Sequence, residues 1–139
     1  MKIRLVFDLD ETLGVALVNS DSVVGFQIRQ GCLELLEKLN EKYQLILWSV
    51  SNRNYVNKML SGELGKFFQE TYSWNEIPQQ WKDIRIIKGD YLIDDYSYQK
   101  EMALQVGLGN KYIIVPAYGD EIDEVEPLRW VKIIENAFL

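Results

Sequence analysis

The sequence predicts an α/β protein, a three-layer α/β/α sandwich around a central parallel sheet, on three observations. Apolar or β-branched runs of strand length alternate with stretches whose apolar residues recur at helical spacing. Two of those runs, Leu5-Val6-Phe7 and Tyr91-Leu92-Ile93, end directly in paired acids, Asp8 with Asp10 and Asp94 with Asp95. No linker, internal repeat or low-complexity segment divides the chain, so residues 1–139 read as a single domain. Right-handed crossovers would place helices on both faces of such a sheet and open a crevice outside the carboxyl ends of its strands.

Ile3 to Phe7 is β-branched and aromatic enough for a strand. Val15 to Val18 and Val23 to Ile28 flank the polar Asn19-Ser20-Asp21-Ser22, the pattern of a short hairpin flap at about 14–29. Leu33, Leu36, Leu39 and Tyr43 predict a helix with Glu34, Glu37, Lys38 and Glu41 facing water, and Cys32 fits its apolar face as a core residue. Gln44 to Trp48 reads as a buried strand, and Asn52 to Leu60 as a helix opening behind a Ser/Asn cap. Gly62, Gly65 and Pro78 interrupt the stretch from Ser61 to Lys88, where Ile84 to Ile87 suggests a strand. The second acid-tipped strand follows, then a helix over Gln99 to Val106 and a strand over Tyr112 to Val115. Asp120 to Glu124 reads as a solvated loop before a last helix opened by Pro127, with the apolar stripe Leu128, Val131, Ile134 and Phe138.

Composition narrows the chemistry. A hydrophobic fraction of 47% with 26% charged residues is that of a globular chain, and no apolar run approaches the ~20 residues of a membrane span. The strand beginning at the third residue leaves no room for a charged-then-apolar leader, so a cytoplasmic location and no membrane partner are expected. With no histidine, triads built on that residue are impossible. One cysteine and no histidine also argue against zinc. A net charge of -6 argues against broad nucleic-acid binding.

Residues two apart on a strand share a face, so Asp8 and Asp10 can converge on one metal or one phosphorus. A solvated turn after a core strand would show the same dipeptide pattern. Asp8, Asp10 and Thr12 also match the first, third and fifth places of a calcium loop, but Leu13 and Asn19 stand where that loop needs Gly and Glu. Asp8, Asp10, Ser49, Asp94 and Asp95 all fall at the carboxyl ends of predicted strands. Clustered carboxylates raise one another's pKa unless a cation sits among them, and magnesium, hard and oxygen-seeking, is the expected one.

These residues resemble the haloacid dehalogenase superfamily, whose members mostly hydrolyse phosphate esters through an aspartyl-phosphate. Asp8-Leu9-Asp10-Glu11-Thr12 is similar to its first motif, Trp48-Ser49-Val50-Ser51-Asn52 to its second and Leu92-Ile93-Asp94-Asp95 to its fourth. The resemblance implies Asp8 as nucleophile and magnesium ligand, and Asp10 as the acid and base, its carbonyl touching the metal. It implies Thr12 as a brace of the loop, Ser49 or alternatively Ser51 as the hydroxyl on the phosphoryl group, and Asp94 with Asp95 completing the metal shell. For the third-motif lysine the spacing is shorter than usual. Lys82 is preferred and Lys88, six positions before Asp94, is the alternative.

Neither the interval from Gly14 to Arg29 nor that from Arg53 to Trp81 can fold as a separate lid, so a capless member is expected. An open site suits a large phosphorylated substrate. Trp48-Ser49-Val50-Ser51 with Tyr55 resembles phosphatases of the RNA polymerase tail, whereas Gly89 to Asp95 resembles deoxyribonucleotidases. The expectation is thus a magnesium-dependent phosphomonoester phosphatase acting on a protein tail or a nucleotide. The alternatives are a nucleotidase or nucleic-acid end phosphatase, and a binding or regulatory protein that keeps the fold without turnover. Trp74, Trp81, Tyr96 and Tyr98 lie near the motifs and suit either stacking on a substrate or packing beneath a loop.

Overall fold

The computed structural model describes residues 1–139. In chain order its elements are β1 (Arg4–Phe7), β2 (Gly14–Asn19), β3 (Ser22–Ile28), α1 (Cys32–Asn40), β4 (Gln44–Trp48), α2 (Arg53–Met59), β5 (Glu70–Tyr72), β6 (Tyr91–Asp94), α3 (Ser97–Leu104), β7 (Tyr112–Ile114), α4 (Glu121–Val125) and α5 (Arg129–Phe138). Leu5, Val6 and Phe7 are wholly buried, as a strand covered on both faces requires. β1 accordingly lies at the centre of a five-stranded sheet of order β5-β4-β1-β6-β7, with every pairing parallel. The chain builds β4 and β5 on one side of β1, then crosses over to lay β6 and β7 on the other. That reversal opens a crevice at the carboxyl end of β1.

Alternation along the central strands separates the two outer layers. Leu5 and Phe7 pack with Leu47 and Ile93 against Leu36 of α1 and Trp130 and Ile134 of α5. Val6 turns the other way and packs with Ile46, Trp48 and Leu92 against Ile84 and against Ala103 of α3. The three-layer sandwich read from the sequence is the observed fold. The only insertion beside the first loop is the antiparallel hairpin β2–β3, and no cap covers the crevice. Cys32 is buried in the larger core, where burial pushes its thiol up to about 12.

Several elements differ from the sequence reading. Ile84–Ile87 is a 3₁₀ turn instead of a strand: Asp83 caps it by accepting from the Arg85 amide at 3.1 Å, and Lys88 ends it in the left-handed region at φ 56°. Gly89 then passes so close to Val6 that an added Cβ would sit 2.6 Å from its side chain. β5 carries no apolar run to advertise it, since an edge strand needs none. α3 begins two residues earlier than expected, at Ser97. α5 begins at Arg129 and buries Trp130, Ile134 and Phe138, whereas Leu128 is exposed; Trp130 replaces it by donating its indole N–H to the Gln30 carbonyl at 3.1 Å.

Asp120–Glu124 is not a solvated loop. Asp120 caps α4, and Asp123 is buried against Arg29. Arg29 follows β3 and is only 2% exposed. Its guanidinium donates to Asp123 at 2.8 Å and to the Thr12 carbonyl at 3.2 Å, and lies 4.7 Å from the Trp130 ring centroid. It thereby ties the loop after β1 to α4 and α5. Replacing one partner of a buried ion pair leaves the other charge uncompensated, at a cost of roughly 3–5 kcal/mol. Arg29→Met is therefore expected to destabilise the protein by about 3 kcal/mol, read as a lower urea midpoint.

Candidate active site

Five parallel strands bring their carboxyl ends to one edge, and three of the four acids predicted there, Asp8, Asp94 and Asp95, cluster. β1 runs out at Phe7, and the Asp8 amide still donates to the Ile93 carbonyl at 3.0 Å, which keeps Asp8 in register with the end of β6. Asp8, Asp94 and Asp95 can each offer a carboxylate oxygen within 4.8 Å of the others. Between them stands Lys82, 2% exposed, whose ammonium donates to Asp8 at 2.6 Å and to Asp94 at 2.8 Å. The Thr12 hydroxyl lies 3.0 Å from Asp8 and 2.9 Å from Asp95, bracing both from the loop.

Burial dominates the electrostatics. It pushes the Asp8 carboxyl up to about 6; Lys82 opposes that shift and Asp95 adds to it. Burial and then the neighbouring Asp8 likewise raise Asp94 to about 6, against the pull of Lys82, and Asp95 moves up for the same first cause. For Lys82 burial acts downward, but the two aspartates outweigh it and the amine is held above its ordinary value. Three carboxylates around one ammonium leave an excess of negative charge in a set made only of oxygens. That donor set fits a hard divalent cation.

Lys82 is itself held by its backbone. Its N–H donates to the Gln99 side chain at 2.7 Å, and its carbonyl accepts from the Tyr112 hydroxyl at 2.6 Å. Neither Gln99 nor Tyr112 stood out in the sequence, because a buried polar side chain has no signature in spacing. Lys88, the alternative lysine, is placed elsewhere: it is exposed before β6 begins, and its carbonyl accepts from Arg4 at the amino end of β1.

A cleft of about 200 Å³ opens over the acids, with Asp10, Glu11, Ser49, Val50, Gln80 and Tyr96 on its walls. Ser49 is buried at the end of β4, its amide donating to the Tyr72 carbonyl and its hydroxyl accepting from the Ser51 amide at 3.0 Å. The Ser51 hydroxyl instead approaches Asp10, at 3.5 Å. The Asp10 side chain stands apart from the three clustered acids and accepts a hydrogen bond from the Tyr55 hydroxyl. Of the four aromatics near the motifs, Tyr96 alone lines the cleft; it stacks on Tyr98 with centroids 5.4 Å apart. Trp81 instead lies 6.0 Å from the Arg85 guanidinium, and Trp74 is exposed.

A parallel sheet whose central strand ends in an aspartate, with a lysine and two further aspartates around it, gives the chain a haloacid dehalogenase-type fold. The model of the NLI interacting factor-like phosphatase family matches residues 3–92, and the chain belongs to that family. It is a phosphatase, a hydrolase of phosphoric monoesters. Among solved structures, one described as a beta-phosphoglucomutase from Thermotoga maritima is similar at 12% identity and a TM-score of 0.66, covering 96% of this chain and 99% of that one. A HAD-family enzyme from Bacteroides thetaiotaomicron, solved with magnesium and inorganic phosphate, is similar at 15% identity and a TM-score of 0.63, covering 91% of this chain and 100% of that one. Fcp1, described as an essential RNA polymerase II CTD phosphatase, is similar at 21% identity and a TM-score of 0.61, over 97% of this chain but 48% of its own. No curated protein shows a significant sequence match.

An acid whose folded pKa lies above its unfolded value binds its proton more tightly when folded, so its contribution to stability falls as pH rises between the two values. For Asp94 in metal-free protein that interval runs from about 4 to about 6. Urea unfolding in chelator is expected to show wild type losing stability relative to Asp94→Asn across it, with added divalent cation reversing the loss at neutral pH.

Proposed function

We propose that this phosphatase is magnesium-dependent, forms an aspartyl-phosphate on Asp8, and acts through its open site on phosphorylated protein segments. The observation that carries the reading is the position of Asp8: it ends the central strand, faces the cleft, and is held by Lys82 at 2.6 Å and Thr12 at 3.0 Å. A carboxylate so fixed is a ready nucleophile once the phosphoryl charge is offset. Asp8, Asp94 and Asp95 would hold the magnesium, which when bound supplies neutralisation of phosphoryl oxygens.

The chain's own groups do the rest. The Lys82 ammonium and the Ser49 hydroxyl, both on the cleft, bind phosphoryl oxygens and orient the ester. Asp8 attacks phosphorus, the bond to the leaving oxygen breaks, and Asp10 gives that oxygen its proton. Asp10, now a carboxylate, takes a proton from the water that attacks the phosphorus of the acyl phosphate, and Asp8 is regenerated. Ester and water thus become alcohol and phosphate. The absence of a cap over the crevice favours a substrate larger than the 200 Å³ cleft, with only its phosphate inside.

Phosphate release from phosphopeptides, nucleoside monophosphates and an aryl phosphate tests this directly. Asp8→Asn is expected to lower turnover by at least roughly 1,000-fold while leaving the unfolding transition in place. Chelation is expected to abolish turnover and magnesium to restore it. Preference for nucleotides over phosphopeptides would favour a nucleotidase, and no release from any substrate by folded protein would favour a binding role.

A further inference from the structure

We propose that Tyr55 is a positioning residue that dictates which oxygen of Asp10 delivers the proton to the leaving group, an inference that rests on the aspartyl-phosphate reading above. The Tyr55 hydroxyl donates to Asp10 Oδ1. The other oxygen, Oδ2, has only the Ser51 hydroxyl nearby, at 3.5 Å, and Asp10 lines the cleft with Asp8. A carboxylic acid whose Oδ1 accepts from a phenol carries its own proton on Oδ2.

Tyr55 can hold this geometry because it stands on a fixed element. Its ring packs against the larger core. Its backbone N–H donates to the Asn52 side chain at 2.8 Å, the cap of α2, and Lys58 of the same helix donates to the Val23 carbonyl of the hairpin. The hydrogen bond from Tyr55 to Asp10 spans 45 residues of sequence and joins α2 to the loop after β1. In the first step, Asp8 forms its bond to phosphorus as the ester P–O bond breaks with its electron pair on the leaving oxygen. The proton from Asp10 Oδ2 moves to that oxygen, and Tyr55 keeps its own proton throughout.

The test compares kcat/KM, which reports the step up to cleavage of the ester, for an alkyl phosphate and for dinitrophenyl phosphate, whose leaving group departs without a proton. Tyr55→Phe keeps the ring and its packing, and thermal unfolding checks that the fold is retained. General-acid catalysis contributes roughly 10²–10⁴-fold. Tyr55→Phe is expected to lower kcat/KM for the alkyl ester by about 10–100-fold and to cost the dinitrophenyl ester at least tenfold less. In an Asp10→Asn background the same substitution is expected to add nothing to the loss on the alkyl ester. Equal losses on the two esters, no loss on either, or a loss that persists undiminished beside Asp10→Asn would overturn the role of Tyr55. Dinitrophenyl phosphate turnover that survives Asp8→Asn would instead overturn the aspartyl-phosphate reading, so the two failures are told apart.

Discussion

The Lys82 ammonium between Asp8 and Asp94 is the contact on which the rest of the site depends. Burying two carboxylates within reach of each other is costly, and a single cation at 2.6 and 2.8 Å is what the chain itself supplies against that cost. Burying an ammonium is costly as well, and the backbone around Lys82 shows how the position is enforced. Gln99 takes its N–H, Tyr112 takes its carbonyl, and the Tyr112 hydroxyl also accepts from the Ile84 amide at 3.0 Å. The loop before the 3₁₀ turn is therefore pinned to α3 and β7, which fixes the backbone from which the ammonium reaches Asp8 and Asp94. One positive charge among three acids still leaves the site negative, which suits it to a cation and to a substrate whose own charge needs one.

The loop after β1 is held from behind as firmly as from in front. Glu11 adopts φ 66°, a conformation unusual for a residue with a side chain, and its neighbours explain why it persists. The Glu11 amide donates to the Gly14 carbonyl at 2.7 Å, and its carbonyl accepts from the Tyr118 amide at 2.7 Å. Arg29 adds its bond to the Thr12 carbonyl and is in turn neutralised by Asp123. Gly14 closes the loop where an added Cβ would meet the Gln27 carbonyl at 2.1 Å, so the hairpin can only lie this close to the loop with glycine there. Contacts from β3, from Arg29 backed by Asp123 of α4, and from the segment after β7 thus converge on Glu11, Thr12 and Gly14 and preorganise them.

A second clamp works at the far end of the sheet and shows how the edge strand is kept. Arg4 makes a bidentate pair with Glu70 of β5 at 2.6 and 3.0 Å, reaching across β4, and Gln44 and Tyr72 donate to the same carboxylate. Hydrogen bonding from Arg4 and Tyr72 holds the Glu70 carboxyl down at about 2, so the pair persists through any ordinary pH. Arg4 also donates to the Ile87 and Lys88 carbonyls, which links the short β5 and the 3₁₀ turn to the central strand. A three-residue strand with no apolar run is secured by these charges where hydrophobic burial is thin.

By itself the sequence determined the alternation of elements, the parallel sheet and the carboxyl-end placement of Asp8, Asp10, Ser49, Asp94 and Asp95, because period-two and helical patterns and strand-end acids are local properties of the chain. Its motifs also indicated the family. Local pattern ran out wherever a residue is defined by a partner far along the chain. Ile84–Ile87 has the composition of a strand, yet it is a 3₁₀ turn capped by Asp83 that buries Ile84 and Ile87 in the smaller core. Asp120–Glu124 has the composition of a solvated loop, yet Arg29, 94 residues from Asp123, draws that acid inward. The sequence preferred Lys82, 12 residues before Asp94, and kept Lys88, six before it, as the alternative, because spacing alone does not tell which end of the sheet a lysine reaches. The tertiary structure places Lys82 at the carboxyl end of the sheet, on the cleft, and Lys88 at the amino end. Tyr55 and Gln99 acquire their roles in the same way, through hydrogen bonds that exist only once the strands have brought distant segments to one edge.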